Sequence, residues 1–279
     1  MTKSLTRVLL IPIAIAALAV LSTTPLLGDP ALLHPDQLDQ LVARIALYSD
    51  PLLAQVLTAS TYADQIPGAA AWAKQHQYLQ GDDLARAISE DHLPWDPSVL
   101  ALLPFPSVLD VMNRDMEWAR HLGDAVLTQR SEVMDAVQRM RRKAHDYGYL
   151  QSNAYIRVLA YPSYLEILPV DPAYICVPVY DPVIVFSRPV GRIVVSAAIS
   201  FGPPVFIGPA FVAFGWAHPG FLWPSHILVI DHEPWRRTWV NRQTYVHPYT
   251  RPWVRPVEPQ VERHGIHRPL EAQRRGGRR

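Results

Sequence analysis

Apolar residues recur with a period near 3.6 from Asp36 onward, which predicts a run of amphipathic helices. Leu38, Leu41, Val42 and Ile45 form one face, with Asp39, Gln40 and Arg44 turned away from it. Ser49-Asp50-Pro51 restarts the helix, because an aspartate can cap free N–H groups and proline suits the first helical turn. Leu52, Leu53, Val56 and Leu57 supply the next apolar face. Pro67–Gln77 and Asp82–Glu90 read as two more helices, and Asp96-Pro97 repeats the start signal ahead of Val99, Leu100, Leu102 and Leu103. Pro104 and Pro106 end that helix, and Ser107 can cap a brief one over Val108–Asn113. The last and longest element, Asp115–Tyr147, carries Trp118, Leu122, Val126, Val133, Val137, Met140 and Ala144 on one stripe, with a bend expected near Gly123 or Ser131. Gly148 fits its C-cap.

The pattern then changes to short extended runs. Tyr155–Tyr161 reads as a strand. In Tyr164–Phe186, the runs Leu165–Leu168, Ala173–Val179 and Val183–Phe186 are separated by Asp171-Pro172 and Asp181-Pro182. Proline pushes the residue before it towards extended backbone, so these steps predict turns between strands of one small sheet. Ile193–Ile230 holds no Lys, Arg, Asp or Glu, but Pro203, Pro204, Pro209 and Pro219 argue against a continuous membrane helix. Strands or an apolar loop packed on the sheet are the expectation there, with His226–His232 as one strand. The expected fold class is α+β. Its parts are a helical subdomain at 34–148, ending in one long helix, a small β-sheet region at 149–192, an uncharged Gly/Pro/aromatic segment at 193–231 and a basic, largely disordered tail at 232–279.

Charge sharpens this layout. Residues 36–147 hold 16 acidic and 10 basic side chains, whereas 232–279 hold 4 and 11, so an acidic body precedes a basic tail. At the N-terminus, Lys3 and Arg7 precede the uncharged run Val8–Leu21, the arrangement of a signal peptide. Residues 1–28 are therefore read as a signal peptide, or as an N-terminal anchor if left uncleaved, and the body as exported to the periplasm or cell envelope. The single Cys176 lies between apolar neighbours and reads as a buried, inert thiol.

Catalytic signatures are absent: there is no G-x-S-x-G, G-x-x-x-x-G-K-[ST], H-E-x-x-H or paired C-x-x-C. Asp171 and Asp181 could act as an acid–base pair, but turn chemistry explains both. Arg139, Arg141, Arg142 and Lys143 suit the end of a helix dipole and a solvated face, with anion docking as the alternative. His226 and His232 are too far apart along a strand to share a metal, and His264 with His267 lack a third ligand. No catalytic, cofactor-binding or metal-ligating residue is assigned, and no cofactor is expected. Trp235, Trp239, Tyr245, Tyr249 and Trp253 interleave with Arg236, Arg237, Arg251 and Arg255, a pattern suited to an anionic membrane surface, wall polymer or an envelope protein. Export argues against nucleic acid.

Four blocks carry a resemblance. LDQLVARIALYSDPLLAQVLTASTY (Leu38–Tyr62), WDPSVLALLPFPSVLDVM (Trp95–Met112), LGDAVLTQRSEVMDAVQRMRRKA (Leu122–Ala144) and YICVPVYDPVIVF (Tyr174–Phe186) resemble, in order, the bacterial exported-protein family Domain of Unknown Function 3300, over about residues 34–188. The resemblance implies export and a helix-then-strand layout, and it supplies no activity. The expectation is a non-catalytic structural or interaction module of the cell envelope. The alternatives are a periplasmic enzyme acting on envelope material and an integral membrane-anchored protein.

Overall fold

Helix α2, Asp50–Ser60, is buried on nearly every side by helices and by later strands of the chain. A helix that is apolar all round must sit in a core. Its polar side chains bond mostly within that core: the Gln55 amide nitrogen donates to the Gly215 carbonyl at 2.7 Å, while its buried Oε1 has no partner among the described residues, and Thr58 and Ser60 donate back to the α2 backbone. The computed structural model describes residues 31–189 and 198–247. The expected signal segment, the His264/His267 pair and the end of the basic tail lie outside them.

Around α2 stand α1 (Pro35–Val42), α3 (Ile66–Gln75), α4 (Gly81–Glu90), α5 (Pro97–Leu100), α6 (Pro106–Arg114), α7 (Met116–Thr128) and α8 (Arg130–Asp146). The expected single helix over 115–147 is thus two. The break falls at Gln129 rather than at Gly123 or Ser131. Gln129 leaves helical geometry with φ −142° and ψ 51°, and its side chain bonds both the N–H and the carbonyl of Leu33. Gly123 has a different role: a Cβ there would overlap the Ser60 carbonyl, so glycine lets α7 press against the end of α2. Gly148, at φ 83°, closes α8 as expected, with its N–H on the His145 carbonyl.

The chain is α+β, but its β-structure is not one sheet. After β1 (Ile156–Ala160) and β2 (Leu165–Pro169) come β3 (Tyr174–Ile175), β4 (Pro178–Tyr180), the helical turn α9 (Pro182–Val185), β5 (Ile199–Phe201), β6 (Val205–Phe206), β7 (Gly220–Leu222), β8 (Ile227–Ile230) and β9 (Glu233–Pro234). All pairings are antiparallel: β1 with β2, β3 with β6, β4 with β5, and β7-β8-β9 in order. The third run of the Asp-Pro stretch is therefore a helical turn rather than a strand. Asp181 accepts the Val183 N–H at 2.8 Å and Pro182 sits at its first position, the same start device used at α5.

From residue 198 onward the uncharged segment packs on the helices as short strands and 3-10 turns. Phe211, Phe214, Trp216, Trp223, Leu228 and Ile230 join the main core. A smaller core of Leu47, Ala144, Tyr149, Leu150, Ile156, Ile167 and Val185 lies under the β1–β2 hairpin. Among the described residues no helix is long and apolar enough to cross a membrane. Gly123→Ala is expected to lower unfolding free energy by about 1–3 kcal/mol, because overpacked sites force backbone shifts. A guanidinium midpoint equal to the parent's would show instead that α7 can move away from Ser60 at no cost.

Candidate functional site

Arg141 lies at i+4 from Val137 and i−3 from Ala144, on the apolar stripe of α8, and its side chain is 0% exposed. A guanidinium does not deprotonate in a protein interior, so its donors need partners in place. Its Nε donates to Ala46 O at 2.8 Å, one terminal nitrogen to Tyr48 O at 2.9 Å, and the other to Leu165 O at 3.0 Å and Asp50 Oδ1 at 2.6 Å. Asp50 therefore serves α8 rather than capping its own helix. The same oxygen accepts the Ile167 N–H at 3.3 Å, and Oδ2 accepts Trp223 Nε1 at 2.8 Å. The Trp223 ring lies 5.0 Å from the guanidinium carbon. Gln138 completes the arrangement by taking the Leu165 N–H at 2.7 Å and donating to its carbonyl at 3.1 Å. The outer edge of β2 is thereby paired with side chains. Of the four basic residues assigned to a solvated helix end, Arg141 is corrected to a core residue; its place on the stripe was the available signal.

Beside this node runs a groove of about 380 Å³, lined by Asp50, Glu166, His218, Phe221 and His232 among others. Burial, then repulsion by Asp50, raises the Glu166 pKa above the usual glutamate value, with Arg141 and the Tyr161 hydroxyl opposing. The rings of His218 and His232 lie 4.2 Å apart, and both residues hold left-handed backbone, at φ 53° and 64°. His226 instead contacts Asp135 at 2.7 Å, so the two histidines flanking β8 do not meet. Among the described residues no three metal-ligating side chains converge.

The residues expected to begin a free basic tail are folded back. Trp235, Arg237 and His247 are buried, and Trp239 and Tyr245 pack against the core. Arg130 donates to the carbonyls of Trp235 and Arg237 and lies 4.6 Å from the Trp235 ring. Burial pulls its pKa down to about 10, which leaves it charged at neutral pH. Arg237 donates to Thr61 O at 2.8 Å and lies over the Tyr62 ring at 3.5 Å. His247 Nε2 sits 2.8 Å from Asp96 Oδ1 and 3.2 Å from the Tyr62 hydroxyl. Burial alone would raise the Asp96 pKa, but the His247 hydrogen bond and charge, with Ser98, hold it below the usual value. Burial, followed by the Asp96 charge, raises that of Tyr62.

The remaining candidates do not gather into a site. Asp171 and Asp181 each accept the N–H two residues on, at 2.9 and 2.8 Å, as turn residues do. Cys176 is buried, and burial raises its thiol pKa. An open hollow of about 710 Å³ is lined by Arg139, Arg142, Lys143, Asp146, Tyr147, Arg188 and Pro189. Arg139 is tied to Asp39 at 2.7 Å, and Arg142 donates to the Ser163 carbonyl at 3.0 Å.

The family model described as "Protein of unknown function (DUF3300)" matches residues 34–251. The curated "Uncharacterized protein YacH" of Escherichia coli (strain K12) is 43% identical over 123 residues, which are 44% of this chain and 20% of that protein. The match thus spans about one fifth of that relative's length. No solved structure matches.

Arg141→Met is expected to cost about 3–5 kcal/mol of stability, since it leaves Asp50 buried without its cation. Combining it with Asp50→Asn is expected to cost less than the sum of the two single changes, as measured by denaturant unfolding. Because the folded Glu166 pKa is raised, its ionisation destabilises the fold as pH rises from about 4.5 through that value. Glu166→Gln should therefore be more stable than the parent at pH 7 and equal to it at pH 4; thermal melts at the two pH values check this.

Proposed function

The chain belongs to the DUF3300 family of proteins of unknown function, and on that premise we propose that it is an exported, non-catalytic interaction module of the cell envelope. The observation that carries this reading is how the buried charges are used. Buried Asp50, Arg141 and Arg237, with half-buried Asp96 and Arg130, bond backbone and side chains of distant segments of their own chain. A reaction centre needs some of these groups aimed at an open volume. The Lys3/Arg7 and Val8–Leu21 pattern supports export.

A second reading, an enzyme acting on envelope material, has the groove in its favour. There a carboxyl with a raised pKa shares the wall with two histidines in strained backbone, and strain of that kind clusters at functional sites.

Fractionation of cells expressing a C-terminally tagged protein tests the first reading. Recovery in the envelope fraction, with release by salt, is expected; a detergent requirement supports an N-terminal anchor, and recovery in the cytosol rejects export. For the second reading, loss of a hydrolytic activity of the purified protein in both Glu166→Gln and His232→Ala, with the fold retained, would displace the non-catalytic assignment.

A further inference from the structure

We propose that the face formed by α9 and the last turns of α8 docks on the headgroup region of a bilayer carrying anionic phospholipids. This rests on the reading of the protein as an envelope module and names its partner. Val185 of α9 and Ala144 of α8 lie in the same smaller core, which brings the two elements near each other. The hollow presents Arg139, Arg142, Lys143 and Arg188 against the single carboxylate of Asp146. Asp39 pairs Arg139, and Asp146 is 3.6 Å from His145. Among the described residues, Arg142, Lys143 and Arg188 have no carboxylate partner within ion-pair distance.

Five residues before Arg188, α9 exposes two β-branched apolar side chains, Val183 at 76% and Ile184 at 47%. Solvent-facing Val179 precedes them on β4, at 59%. These residues are not the end of a loose loop. Val185 in the same turn is fully buried in the smaller core, and Asp181 caps the turn. Tyr180, just before the cap, donates its hydroxyl to the Ala43 carbonyl at 2.8 Å. The core therefore holds an apolar tip outward on the segment that leads to Arg188 in the wall of the basic hollow.

That combination fits a charged interface with an apolar layer behind it. Apolar tips enter the headgroup–acyl boundary while basic residues are drawn to an anionic surface. The breadth of the hollow suits an array of headgroups better than one enclosed anion, which requires convergent donors. Tyr147, in the hollow wall, is of the residue type enriched at membrane interfaces.

The test is cosedimentation of the purified full-length protein with phosphatidylcholine vesicles, with or without an equal part of phosphatidylglycerol. Binding is expected only to the anionic vesicles and should fall as salt rises. Arg142→Glu/Lys143→Glu/Arg188→Glu is expected to reduce partitioning at least about tenfold. Val183→Ser/Ile184→Ser should also reduce it about tenfold, while the salt dependence persists. A fluorophore on Val183→Cys should shift to the blue with anionic vesicles only, an independent readout should either multiple variant fail to fold. Equal binding to neutral vesicles, no effect of either variant set, or an unshifted probe overturns the proposal. Sedimentation with purified peptidoglycan and not with vesicles overturns it too, yet leaves the envelope reading standing; recovery in the cytosol on fractionation removes both.

Discussion

A guanidinium that cannot shed its proton, placed where water does not reach, obliges the surrounding chain to meet its donors. Arg141 imposes that condition here. The loop between α1 and α2 is turned so that the Ala46 and Tyr48 carbonyls face it, β2 brings the Leu165 carbonyl, and α2 brings Asp50. Such a pair contributes less to stability than its short distance suggests, because both ions lose their hydration. Its stronger effect is on specificity. Any packing that displaces β2 or the α1–α2 loop leaves a charge or several carbonyls unsatisfied, so one arrangement of helices and hairpin is selected over near alternatives.

Both ends of α2 are held by the same kind of chemistry from the second half of the chain. At its start, Asp50 receives Trp223 from the uncharged segment; at its end, Thr61 and Tyr62 receive Arg237 from the C-terminal strap. Midway, Gln55 reaches the Gly215 carbonyl. Each contact places a polar group where the incoming segment would otherwise have an unmet donor or acceptor. The short ladders gain their support by docking on the helices; two-residue pairings such as β3 with β6 have little strength of their own.

Much of the helical half was legible because its signals are local. The apolar stripe, Asp96 as a cap and Gly148 as a terminator all act within a few residues of where they sit. The division between α7 and α8 was not, since it depends on Gln129 meeting Leu33, 96 residues away. The Asp-Pro step illustrates the limit well. At 96–97 and at 181–182 it starts a helical turn, yet before β-branched residues the second instance reads as a strand boundary. Strand partners were equally hidden, because runs of two to five residues carry almost no register information. The candidate surfaces were half visible. The basic cluster on α8 was evident, but its division into one core arginine and several outward cations follows from β2 and Asp50, which only the folded chain brings together. Arg188 joins that cluster through the same folding.

The carboxylate of Asp50 also has a history in time. Its partners Arg141, Ile167 and Trp223 stand 91, 117 and 173 residues further along the chain. Without the hairpin and the Trp223 turn, the helical bundle would hold an incomplete acceptor at its centre. Contacts this remote in sequence close late, since the loop entropy must be met before they form. Asp50 is thus a joint between segments remote in sequence: the first half of the chain cannot complete its interior without the second.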